Sequence, residues 1–152
     1  MMTMKTDGAL NMTAPELLVK FGLEKGGRVQ KAIDNAVIRW CIKYTPFVTG
    51  TLAKSPYTAS NIGSGEVVYN GPYARYLYYG EVYGPNIPVF EHGSVIPTRF
   101  WSPPGKPKHP TGRRLTYNTD YNPLAGSYWF ERMKAAHSQD ILREAMNVAN
   151  NN

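Results

Sequence analysis

The sequence predicts an α+β fold: a small antiparallel β-sheet packed by a long helix in the N-terminal half and by a C-terminal helix, with a long Pro-rich loop or arm. Three observations carry this. Apolar residues recur at threes and fours over 28–44 and again over 127–148. Residues 57–69 read as two short strands around a glycine-rich turn, and 81–126 contain eight of the twelve prolines. The 152 residues suit a single domain, enough to bury a core without disulfides or metals. Within it, 1–27 read as an N-terminal extension, 28–80 as helix, hairpin and Tyr-rich helix, 81–126 as a basic arm, and 127–149 as the last helix.

Thr13, Pro15 and Glu16 form a capping-box start, which predicts a short helix over 14–21. Gly22 and then Gly26-Gly27 stop it. The long helix follows over 28–44, with Val29, Ala32, Ile33, Ala36, Val37, Trp40, Cys41 and Tyr44 on one core-facing side, and Pro46 ends it. The Thr49-Gly50 pair reads as a structural turn in which Gly50 takes a backbone conformation that other residues resist.

Tyr57-Thr58-Ala59-Ser60 and Glu66-Val67-Val68-Tyr69, flanking Gly63-Ser64-Gly65, predict the hairpin at the centre of the sheet. Pro72 opens a short helix over 73–80, closed by Gly80. Tyr73, Tyr76 and Leu77 share a face, and position 78 lies about 160° or more from the face set by 73 and 76. Of Tyr76, Tyr78 and Tyr79, at least one, Tyr78 first, is therefore expected to meet a neighbouring subunit. In the arm only 95–101 resemble a strand. In the last helix Phe130, Met133, His137, Ile141, Ala145 and Val148 recur at helical spacing, and the terminal asparagines should fray. Trp40, Trp129 and Phe130 are expected to anchor both long helices against the sheet.

The net charge of +6 is concentrated in one segment. Between Glu91 and Asp120 there is no acidic residue, while Arg99, Lys106, Lys108, Arg113 and Arg114 all lie there. These five charges suit contact with an acidic partner surface ahead of DNA, and the plain alternative is a solvated basic loop that keeps the protein soluble. No apolar run approaches the roughly 20 residues of a spanning helix, and the start carries no apolar signal-peptide stretch, so no membrane is expected.

No catalytic constellation emerges. His92, His109 and His137 stand far apart without metal-ligand spacing, and Gly105-Lys106 is followed by Pro107 where a phosphate loop requires Ser or Thr. Cys41, the single cysteine, falls in the apolar stripe of its helix and reads as an inert core thiol. Tyrosines at 57, 69, 73, 76, 78, 79 and 83 suit a protein interface or core margin better than base stacking, since their stretch carries little excess positive charge. Neither catalytic, metal nor cofactor residues are assigned.

Particular residues then point to a family. Pro46-Phe47-Val48-Thr49-Gly50-Thr51-Leu52 with Ser55, then Val68-Tyr69-Asn70, Pro72-Tyr73-Ala74-Arg75-Tyr76 and Tyr79-Gly80, resemble in order and spacing the minor capsid or neck proteins of long-tailed double-stranded DNA bacteriophages. Thr111-Gly112-Arg113-Arg114-Leu115, Tyr121-Asn122-Pro123 and Tyr128-Trp129-Phe130-Glu131-Arg132 are similar to the version in phages of Gram-positive bacteria. The resemblance covers 28–148. It implies a non-enzymatic virion protein, a ring-forming subunit of the head–tail connector that reaches the virion from the host cytoplasm. Its expected partners are copies of itself, the adjoining head-completion and tail tube or terminator proteins, and, by proximity only, the genomic DNA in the channel. The nearest alternative is a tail terminator capping the tail tube. A rival of another class is a basic nucleic-acid-binding module, which strong, salt-sensitive binding by the monomer would favour.

Overall fold

The computed structural model describes Glu16 and residues 19–151. Glu16, Val19 and Lys20 are helical and Phe21 already lies in a turn, while residues 14, 15, 17 and 18 of the expected helix, its Thr13 cap and Asn152 lie outside the described residues. The fold is α+β. Its order is α1 (Arg28–Cys41), α2 (Thr51–Lys54), α3 (Pro56–Ala59), α4 (Ala74–Tyr79), β1 (Glu81–Gly84), β2 (Ile87–Val89), β3 (Arg99–Trp101), β4 (His109–Arg114) and α5 (Trp129–Asn150).

α1 and α5 pack together as an antiparallel pair: Arg28 at the start of α1 meets the end of α5, and Tyr44, beyond the end of α1, meets His137. Cys41, Tyr44, Trp129 and Met133 form the buried centre, with Val37, Trp40, Leu52, Tyr69, Leu77, Tyr78 and Ile141 against it. α1 is narrower than expected at its end, yet Thr45 N–H still donates to Cys41 O at 3.0 Å, so the chain keeps turning to the proline. Asp34 and Ile38, one turn apart, are buried on a side of α1 that the apolar stripe did not include. The Asp34 carboxylate accepts from the backbone N–H of Gly63 at 2.7 Å, from Gly65 at 3.1 Å and from Gln30 Nε2 at 2.9 Å, binding the 61–65 loop to the helix.

The expected hairpin over 57–69 is overturned. Residues 57–59 of its first strand are helical and belong to α3, which has Pro56 at its first position. The glycine turn has given its N–H groups to Asp34, and Ser60 Oγ accepts from Val68 N–H at 2.8 Å where a strand ladder would have stood. Gly50 does take a left-handed conformation, φ +80°, and an added Cβ would lie 2.7 Å from the Phe47 ring, so the turn reading holds.

The sheet comes instead from the arm. β1 pairs antiparallel with β4 and β2 with β3, making a two-tier ribbon. Pro88 stands opposite Phe100 and Pro110 opposite Tyr83. Prolines fit because every strand of a two-stranded ribbon is an edge, where a missing N–H leaves no inner ladder broken. The long helices therefore pack on each other and not on a sheet. At the root of the ribbon, Leu115 N–H donates to Gly80 O at 2.9 Å and the Tyr117 hydroxyl to Leu77 O at 2.5 Å.

α5 ends at Asn150, and Arg28 donates to Asn151 O at 3.0 Å and Ala149 O at 3.3 Å, placing a cation on the open carbonyls of the last turn. One further expectation changes. Of the three aromatic anchors, Trp129 is fully buried, Trp40 is half-buried, and Phe130 is 40% exposed. Trp129 occupies the inward position, and its neighbour, about 100° further round the helix, cannot share it.

Candidate assembly interface

The ribbon and α4 hold the residues predicted to meet partners. All six residues of β4 are exposed, as are all three of β3. Arg114 stands opposite Glu81 at the root, and Arg113 and Arg114 line a cleft of about 290 Å³ with Tyr79, Tyr83 and Tyr128. Lys108 donates to Asn86 Oδ1 at 3.0 Å and lines a second cleft, about 430 Å³, with Tyr73, Tyr76 and Leu77. The structure thus brings Tyr76 near Lys108, and Tyr79 near Arg113 and Arg114. It leaves Arg99 on the outer tier and Lys106 in the 102–108 connection, both exposed and apart from those clefts.

Tyr78 is corrected. It points inward, its ring edge-on to Trp129 at 4.7 Å, and its hydroxyl donates to Glu131. Leu77 and Tyr78 face the body, while Tyr73, Tyr76 and Tyr79 carry the exposed side. Helix α4 is too short for the angular argument to stand alone: its orientation is set by Gly80, left-handed at φ +70° and packed against Ser127 and Tyr117, and by Tyr128 N–H donating to Tyr78 O at 2.9 Å.

Sequence reasoning missed the apolar part of this surface. Val48 is 85% exposed, Tyr73 69%, Val95 92% and Ile96 71%; Phe100 and Trp101 are also exposed. The signal was present as an uncharged stretch over 93–98 inside an otherwise basic arm. Val48, Leu52, Pro72, Tyr73, Leu77 and Tyr117 are among the residues lining a cleft of about 540 Å³ on the other side of α4, and no charged side chain lines it.

Cys41 and His137 are held internally, while His92 and His109 are exposed. Cys41 is fully buried, and burial raises its thiol to about 11, so it is protonated at neutral pH. His137 is stacked on Trp40, its Nδ1 is 3.0 Å from Asp140 Oδ2, and its Nε2 is 3.1 Å from the Tyr44 hydroxyl; both nitrogens are engaged within the protein. Tyr69 is pushed up by burial, and its hydroxyl, like the Trp129 indole N–H, is buried without a hydrogen bond of ordinary geometry among the described residues. Among those residues no group of His, Cys, Asp and Glu is arranged to hold a metal ion, and no helix is long and apolar enough to cross a membrane. Compared with known proteins, the chain matches no family model, no curated protein and no solved structure.

Proposed function

We propose that the chain is a structural, non-catalytic subunit of the head–tail connector of a long-tailed double-stranded DNA bacteriophage, assembling with copies of itself into a ring between head and tail. One observation carries the assembly part of this reading. A two-tier ribbon leaves the helical body, shows its strands and its apolar tip to solvent, and contributes nothing to the buried centre. A monomer has no folding use for such an appendage, whereas exposed apolar groups on a protrusion beside tyrosine-lined clefts suit contact with another protein. The connector level follows from the motif resemblance, which names the neck first and the tail terminator second.

The exposed arginines of β4 favour a second reading, a nucleic-acid-binding module. Negative-stain imaging of the purified protein, with DNA binding measured across a salt series, separates the two. Rings with weak, non-specific DNA binding are expected. Monomers that bind DNA tightly, with an affinity falling steeply in salt, would replace the connector by the binding module.

A further inference from the structure

We infer that the cleft lined by Arg113 and Arg114 at the root of the ribbon binds a carboxylate side chain on an acidic segment of a different protein. The inference rests on the assembly reading above and names the chemistry of one partner.

The backbone is irregular where the two arginines stand. In a regular strand neighbouring side chains alternate between faces, so residues 113 and 114 would not share a cleft. Here Glu81 is opposite Arg114 and Tyr83 is opposite Pro110, so two steps along β1 match four along β4. The surplus forms a bulge at Gly112, which is left-handed at φ +74° with nothing within 4 Å of an added Cβ; the glycine serves the backbone conformation and not close packing. Thr111 pins the bulge: its hydroxyl donates to Val82 O at 2.6 Å and accepts from Arg113 N–H at 3.4 Å. Consecutive arginines thereby line one cleft.

Neither guanidinium has an ion-pair partner among the described residues. The walls are aromatic and held in place, Tyr79 edge-on to Tyr128 at 6.0 Å and Tyr83 edge-on to Tyr76 at 4.8 Å. Planar guanidinium groups match a carboxylate with paired hydrogen bonds, and tyrosine rings suit the methylenes that carry it. The volume of about 290 Å³ lies at the low end of the roughly 300–1,000 Å³ of small-molecule sites, which suits a side chain.

Charge decides the occupant. Among the described residues, Asp34, Glu131, Asp140 and Glu144 are engaged inside the chain, and exposed Glu66, Glu91 and Asp120 stand singly along it. A second copy therefore offers no acidic segment to two adjacent arginines. A phosphate backbone fits less well, because it is followed by a continuous track of cations. Arg99 on the outer tier and Lys106 in the 102–108 connection lie apart from this cleft, and Glu81, which lines it, would face the phosphates.

The test titrates a hexaglutamate peptide into the full chain by isothermal calorimetry. Arg113→Ala with Arg114→Ala should weaken binding about 10-fold or more, while thermal melting matches the wild type because every residue of β4 is exposed. Lys31→Ala with Lys134→Ala removes the same charge from exposed sites on the helical body and should change binding by about 2-fold or less. Glu81→Gln, which removes the cleft's own carboxylate, should tighten binding by about 2- to 5-fold. Duplex DNA of random sequence, the second probe, should lose less from the arginine variant than hexaglutamate does. No binding by the wild type, or equal losses in the two double variants, overturns the cleft. A larger loss for DNA than for hexaglutamate replaces the acidic protein by nucleic acid. Negative-stain imaging of the same sample separates the two readings: rings without hexaglutamate binding overturn this inference alone, and binding without rings overturns the assembly reading alone.

Discussion

The helical body and the ribbon are built on opposite principles. In the body, α1 and α5 bury Trp129, Met133, Cys41 and Tyr44, and polar groups close on one another: Asp34 on the 61–65 loop, His137 on Tyr44 and Asp140, Arg39 on Glu144, Arg28 on the end of α5. In the ribbon, strands of three to six residues leave Phe100, Trp101 and every residue of β4 exposed. Stability resides in the first region and availability in the second. A mutation in one should therefore be read out by melting, and in the other by association.

The comparison breaks most readily at its two tryptophans. Trp129→Ala should lose about 3–5 kcal/mol, as for other buried large aromatics, and Trp101→Ala should change stability by about 0.5 kcal/mol or less. Equal effects in denaturant melts would show that the ribbon belongs to the core after all. Alkaline pH probes the same centre. Since the folded Cys41 thiol holds its proton to about 11 and the unfolded one only to 9.0, the unfolded state ionises first as pH rises. The stability contribution is present below pH 9 and is lost progressively between 9 and 11, up to about 2–3 kcal/mol, a decline that Cys41→Ala should flatten. Neutral-pH thiol titration should find the group unreactive until the protein unfolds.

Smaller effects sharpen the boundary. Asp34→Ala strands the buried N–H of Gly63 and should cost about 1–3 kcal/mol, with faster hydrogen exchange confined to the 61–65 loop. Weaker than this is Arg28→Ala, where loss of a partly exposed cap on α5 should cost about 0.3–1 kcal/mol and let exchange spread inward from Asn150. Unchanged protection at that end would mean that packing alone holds the last turn.

Much of the body was legible because periodicity reports burial directly: Val29, Ala36 and Cys41 on α1, Tyr44 just beyond its end, and Met133 and Ala145 on α5 are buried as spaced. The 57–69 region misled because Thr, Val and Tyr around a glycine turn favour strands only when a ladder partner exists. Here a single buried carboxylate, Asp34, took the turn, and nothing in local pattern announces an interaction spanning 29 residues. The ribbon misled in the opposite direction. Prolines argue against central strands, yet a ribbon has none. At the candidate interface the exposed arginines and Tyr76 and Tyr79 were readable by type, whereas the roles of Tyr78 and Phe130 depended on how Gly80 and Trp129 orient their helices.

The root of the ribbon has a mechanical meaning. With Leu115 fastened to Gly80 and Tyr117 to Leu77, the ribbon is a lever clamped at one end. A sideways push on the tip reaches the clamp as torque, is handed to α4, and passes through the Tyr128–Tyr78 backbone bond into the first turn of α5. Load on the ribbon tip therefore enters the body through the six residues of α4 before it reaches the mated helices of fourteen and twenty-two.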